Sequence, residues 1–304
     1  MTEKEYLQSL PDSVREMVGK TDGERLQFIR QQKFIRYQKA ETVLKRMQEL
    51  MDEPTKERMP ALLLLGDSGN GKTSIARKFV EMHTFEPSDP NDYFEDEGDL
   101  PVLFVQAPIG PNASDLYDNI LRALDVPSRR DSKSVKEGQI EHYFRVLNVR
   151  MMIVDEIHNI LSGTVPKKKE FMNALKNLSN SLQIPIVLIG IKDALNAVNT
   201  DLQIRSRFKP IMLNRWGFDR EYLILLKSIE KTIPLKKPSL IYRDERFARA
   251  ILDKSNGLFG EIMGIISMLA KEAIVSGREK MAYDMLKSLD YAFLSDDDIL
   301  LEEL

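Results

Sequence analysis

Apolar positions along the chain change their period, and each change marks an element. After Phe34-Ile35-Arg36-Tyr37, the residues Ala40, Val43, Leu44, Met47, Leu50 and Met51 recur at helical spacing. Pro54 and Pro60 bracket a turn into the unbroken apolar run Ala61–Leu65. Helical period returns with Ile75, Ala76, Phe79 and Val80. The runs Pro101–Ala107, Met151–Val154 and Ile184–Gly190 predict buried strands, with Ile211-Met212-Leu213 as a candidate fifth. Pro185 stands at a strand entry, where its missing N–H is tolerated. Three helices are marked by Leu116, Ile120 and Leu124, by Ile140, Tyr143, Phe144 and Leu147, and by Phe171, Ala174, Leu175, Leu178 and Leu182. Strands apolar on both faces and alternating with helices predict an α/β fold, a parallel five-stranded sheet covered on both sides.

Beyond about residue 218 the strand signal stops. Leu223, Leu226 and Ile229, then Phe247, Ala248, Ile251 and Leu252, then Ile262, Ile265, Ile266, Leu269 and Ala273 predict a small helical domain. The expected organisation is an N-terminal helical extension over 1–33, an α/β domain over 34–217, a helical domain over 218–292, and a tail over 293–304 that mixes acidic and apolar residues. That tail reads either as a docking peptide or as a frayed terminus.

Composition narrows the chemistry. The 304 residues contain no cysteine, which excludes disulfides and thiolate catalysis. Met1–Tyr6 lacks the apolar core of a signal peptide, and no run approaches the roughly 20 apolar residues of a membrane span. A cytoplasmic location with no membrane partner is expected. The net charge of −3 advertises no polycation. Charge is nevertheless uneven: residues 83–101 are acidic, whereas Arg129, Arg130, Lys133, Lys136 and Lys167–Lys169 are basic. His83 and His142 are isolated, and no cluster has metal-ligand spacing.

The chemistry centres on Gly66-Asp67-Ser68-Gly69-Asn70-Gly71-Lys72-Thr73-Ser74, a G-x-x-x-x-G-K-T loop between a strand and a helix. Such a loop turns backbone N–H groups inward at a helix N-terminus and so favours phosphate. Lys72 would reach the β- and γ-phosphates of ATP, and the Thr73 hydroxyl would ligate Mg²⁺. Asp155 and Glu156 end the strand Met151–Val154, where open parallel sheets place ligand chemistry. Asp155 would hold Mg²⁺ through its water shell, and Glu156 would orient the attacking water. His158 makes the string resemble a helicase box, but the chain is too short for a second motor domain, so it is read as an ordinary loop or helix residue. Arg205 and Arg207, beside Phe208, are either a surface salt-bridge segment or a source of an arginine for a neighbouring subunit's γ-phosphate.

In that order, Gly66–Thr73, Asp155-Glu156 and Ser206-Arg207-Phe208 resemble an AAA+ ATPase. More narrowly, the chain resembles the TniB/TnsC-type ATPases that serve DNA transposition. The likeness runs from about 25 to about 280. It is carried by Phe34–Tyr37, Arg58-Met59-Pro60, Ala107–Pro111, Ile153–Leu161, Gln183–Val187, Arg207–Pro210, Trp216, Leu235–Ser239 and Gly257–Ile262. The resemblance implies a P-loop NTPase of AAA+ type with a helical lid, Arg207 as the trans-acting arginine ahead of Arg205, and Ile35 and Tyr37 flanking the adenine. Simple core packing is the other reading of Ile35 and Tyr37.

The resemblance also implies ATP-dependent rings or filaments on duplex DNA, bound without sequence preference, and recruitment of a transposase with a TniQ-type adaptor or another targeting factor. Arg129, Arg130, Lys133, Lys136 and Lys167–Lys169 are the candidate phosphate contacts. Two departures, Gly190-Ile191-Lys192 without a polar sensor and Gly257–Gly260 without the lid arginine, point to slow hydrolysis that controls assembly. The alternatives are a nucleotide-gated scaffold with negligible hydrolysis and an initiator-like or loader-like ATPase unrelated to transposition.

Overall fold

The computed structural model describes residues 3–31, 34–84, 99–127, 131–195 and 207–288. Most of the acidic stretch 83–101, together with Arg129, Arg130, Arg205, Ser206 and the tail 293–304, lies outside the described residues. In chain order the described helices and strands are α1 (Glu3–Gln8), α2 (Asp12–Val18), α3 (Asp22–Arg30), α4 (Gln38–Met51), β1 (Ala61–Gly66), α5 (Lys72–His83), β2 (Val102–Gln106), α6 (Ala113–Ala123), α7 (Lys133–Val146), β3 (Met151–Asp155), α8 (Val165–Leu182), β4 (Ile186–Gly190), β5 (Phe208–Leu213), α9 (Arg220–Glu230), α10 (Glu245–Lys254), α11 (Phe259–Val275) and α12 (Tyr283–Ser288). They form two compact units, residues 1–38 with 215–304, and residues 39–214.

The second unit holds a five-stranded sheet ordered β2-β3-β4-β1-β5. All its pairings are parallel, with Leu65 opposite Gly190 and Gly66 opposite Leu213. Every residue of β1, β3 and β4 is buried, because helices cover both faces. Leu63, Leu65, Met152, Val154, Ile186 and Leu188 share one face and pack into a single core with Leu116, Ile120, Ile140, Phe171 and Leu175. Burying each such side chain contributes about 1.5–3 kcal/mol. The edge strand β5 is longer than the apolar run Ile211–Leu213 suggests. Only its ends, Phe208 and Leu213, are buried, and Pro210 sits where an edge tolerates a missing donor.

In the first unit, α3 opens with a capping box between Thr21 and Glu24. Arg25 follows and is wholly buried. Its Nε and Nη2 donate to the Pro234 carbonyl at 3.0 and 2.7 Å, and its Nη1 donates to Glu279 Oε1 at 2.8 Å. A buried guanidinium needs such partners. These bonds draw residues 1–38 into one unit with the C-terminal helices, where the hydrophobic pattern alone sets 1–33 apart as an extension.

Candidate nucleotide site

The loop after β1 has the backbone that its glycines permit. Gly69 and Gly71 adopt φ of +70° and +84°, a left-handed region closed to most side chains. Asn70 is buried and donates through Nδ2 to the Leu213 carbonyl at 2.7 Å, which ties the loop to the end of β5. Lys72 opens α5 and is 9% exposed. Its Nζ donates to the carbonyls of Gly66 at 2.9 Å and Asp67 at 2.8 Å. Burial pushes its pKa down, against the opposing pull of Asp155, Glu156 and Asp67. Ser68 and Ser74 are exposed on either side of this buried cation.

From β3, two strands away, comes the acidic pair. The Thr73 hydroxyl donates to Asp155 Oδ2 at 2.7 Å, across 82 positions of sequence. Asp155 Oδ1 accepts the backbone N–H of Glu156 at 2.8 Å. Hydroxyl and carboxylate together form a hard oxygen donor set that fits Mg²⁺, which is held by one or two carboxylates with substrate phosphates completing the shell. Among the described residues no group of three His, Asp or Glu side chains is placed to hold a metal by itself. Glu156 adopts a left-handed backbone, φ 58°, and its Oε2 lies 3.1 Å from His158 Nε2. Sequence reading missed that pairing; the available signal was an imidazole two residues beyond a strand-end carboxylate. It also missed Lys192, whose Nζ lies 3.2 Å from Asp67 Oδ1. The position lacking a polar sensor therefore carries an ammonium paired to the phosphate loop.

Arg207 lies at the far end of the sheet from the phosphate loop. Arg207 precedes Phe208, which pairs with Ala61 at the opposite end of β1 from Gly66. Six strand residues at ~3.3 Å each put Arg207 about 20 Å from its own phosphate loop. Its Nη1 donates to Asn180 Oδ1 at 2.8 Å, and burial, then Arg58, lowers its pKa. Ile35 and Tyr37 are buried in the first unit. The Tyr37 ring packs 5.3 Å from Trp216 and 5.6 Å from Phe259, and burial raises its hydroxyl to about 12. Lys136 is a correction. It is 4% exposed, pairs with Asp118 at 2.6 Å and donates to Ser114 at 3.1 Å, so it is spent inside the fold and is not available to a DNA phosphate. Lys133 pairs with Glu170 at the surface, and Lys167 and Lys169 are exposed in the first two turns of α8.

A family model described as bacterial TniB protein matches residues 25–218. No curated protein matches the chain at significant similarity. Among solved structures the chain is similar to Cdc6p from Pyrobaculum aerophilum, at 17% identity and a TM-score of 0.58 over 84% of this chain and 67% of that one. It is also similar to the Orc1 protein of Aeropyrum pernix in complex with DNA, at 15% and 0.56 over 86% and 68%. The Walker-type ATPase of Pyrococcus abyssi aligns at 15% and 0.52 over 86% and 74%. At these identities the likeness is one of fold, and the fold is that of an AAA+ P-loop ATPase. No described helix is long and apolar enough to cross a membrane. The family match spans more than half of the chain and takes in the phosphate loop, the acidic pair and Arg207, so the chain belongs to the TniB family.

Proposed function

We propose that this protein is a slow, DNA-stimulated ATPase that oligomerises on duplex DNA and presents it to a transposase, with nucleotide state controlling assembly. The observation that carries the reading is the Thr73–Asp155 hydrogen bond, which joins the phosphate loop to the acidic strand end as magnesium-assisted phosphoryl transfer requires. Lys72, released from its two loop carbonyls, would neutralise the β- and γ-phosphates of ATP. Thr73 and Asp155 would hold Mg²⁺, which offsets phosphate charge when bound. Glu156 would align the attacking water. Arg207, too far from its own loop, would act on the neighbour's γ-phosphate, so turnover would need assembly. Ile35 and Tyr37 would flank the adenine.

Duplex DNA is the expected track. Lys167–Lys169 span the end of the first turn and the start of the second in α8, and the first turn carries no acidic residue, so their charges stand against the helix dipole. An external anion would relieve that opposition. A few phosphate contacts per subunit, repeated along an assembly, give strong and salt-sensitive binding. The transposase and a TniQ-type adaptor or other targeting factor are the partners proposed from the family.

The likeness to the DNA-bound Orc1 fold favours a second reading, an initiator-like ATPase without a transposition role. ATP turnover measured with and without duplex, with Glu156→Gln as control, tests hydrolysis. Electron microscopy with duplex and a non-hydrolysable ATP analogue tests assembly. Rings or filaments that capture the family's transposase support the proposal. A chain that stays monomeric yet hydrolyses normally overturns it, and a turnover equal to Glu156→Gln reduces the protein to a nucleotide-gated scaffold.

A further inference from the structure

His158 is a second polar group at the reacting end of the sheet, and among the described residues its polar contact is with Glu156. Its Nε2 meets Glu156 Oε2 at 3.1 Å, while its Nδ1 is buried and bonds to nothing among the described residues. A carboxylate only accepts, so the nitrogen that faces it is the one that can donate, and Nε2–H is the group suited to hold Oε2.

The backbone holds the ring in place. His158 lies on the 3₁₀ turn Ile157–Ser162, anchored by the buried Ile157 and Ile160 and closed by a bond from Asn159 N to the Glu156 carbonyl at 3.0 Å. This turn crosses the end of β4 at Gly190. A Cβ there would lie 2.8 Å from Ile157 Cγ2 and 3.4 Å from His158 N, so glycine is what lets the turn sit this close. Glu156, in turn, is held in a left-handed backbone that a glutamate adopts at a cost. The Thr73 hydroxyl, the Asp155 carboxylate, the Glu156 N–H and carboxylate, and His158 Nε2 form one continuous run.

We propose that His158 is a positioning residue for Glu156. One N–H anchors Oε2, and the second carboxylate oxygen is left oriented for the water that attacks the γ-phosphate. This deepens, and rests on, the ATPase reading above.

The test compares wild type with His158→Ala, His158→Gln and Glu156→Gln in ATP turnover, ATP-analogue affinity and imidazole ¹⁵N–¹H spectra. Expected is a kcat lowered about 10–100-fold in His158→Ala with analogue affinity within about twofold. His158→Gln, whose amide still donates, recovers most of the missing rate. The His158 resonance has the Nε2–H pattern and shifts in Glu156→Gln. An unchanged or raised kcat in His158→Ala overturns the proposal. So does a parallel loss of affinity that Gln does not rescue, or a His158 signal indifferent to Glu156→Gln. A wild type no faster than Glu156→Gln instead overturns the hydrolysis reading itself, and the role of His158 with it.

Discussion

Arg25 and Glu279 stand 254 positions apart, yet Arg25 Nη1 donates to Glu279 Oε1 at 2.8 Å with the guanidinium wholly buried. Lys236 N–H adds a bond to Glu279 Oε2 at 3.2 Å. Arg25→Ala removes the charge-assisted bonds but leaves Glu279 with Lys236, whose Nζ lies 3.2 Å from Oε1, so the loss of stability is expected to be about 1.5–3 kcal/mol. Burial alone would raise the Glu279 carboxyl, but the Arg25 and Lys236 bonds outweigh it and hold it down at about 2. Stability from this carboxylate is therefore complete above its ordinary 4.5 and lost as pH falls toward 2. Urea melts from pH 5 to pH 2.5 should show a steep loss in wild type and a shallower one in Glu279→Gln.

Glu230 works in the opposite sense. Burial raises it to about 7, against the pull of backbone bonds that include Ile241 N–H at 2.9 Å. The folded chain binds its proton more tightly, so stability falls as pH rises from 4.5 through 7. Glu230→Gln keeps an acceptor for Ile241 and removes the titration. It is expected to flatten that slope and to gain up to about 3 kcal/mol at pH 8. Equal melts of wild type and variant at pH 5 and pH 8 would reject the assignment.

Lys72→Ala removes the ammonium proposed to meet the phosphates. Charge-assisted bonds of about 1.5–3 kcal/mol go with it, so ATP affinity should fall about 10–100-fold. Fluorescent nucleotide titration measures it, and unchanged affinity would remove the phosphate-loop assignment.

Arg207→Ala should leave nucleotide binding intact and stop turnover and assembly. Because Arg207 is about 20 Å from its own loop, the decisive measurement is a mixture. Arg207→Ala chains retain a working loop and Lys72→Ala chains retain the arginine, so together they should recover part of the activity that each lacks. No recovery would reject action on a neighbour.

Replacing Lys167 and Lys169 by alanine should weaken duplex binding and lower the slope of log affinity against log salt by about 0.9 for each DNA phosphate no longer neutralised. Lys136→Ala should destabilise the fold, because it removes the buried ammonium's ion pair with Asp118, and leave that slope unchanged. The reverse pattern would return Lys167–Lys169 to an ordinary solvated surface.

Much of this was legible because burial on both faces writes a strand as an unbroken apolar run, as in β1, β3 and β4. β5 was half legible, since an edge strand buries little and its Lys209 and Pro210 interrupt the run. The phosphate loop and Asp155-Glu156 were readable because their chemistry requires fixed residues at fixed local spacing. Arg25, Lys136 and Lys192 were not. A charge reads the same whether it faces water or a partner, and Glu279, Asp118 and Asp67 are distant in sequence. His158 needed the left-handed turn at Glu156 to come within reach of its carboxylate.

Asn70 has a mechanical consequence. Its amide grips the carbonyl of Leu213, two residues before Arg215, where the chain leaves the sheet-bearing unit for the other. Loop and strand end are thereby fastened as one piece, so a loop that reshapes around a guest must either carry the end of β5 with it or give up this bond.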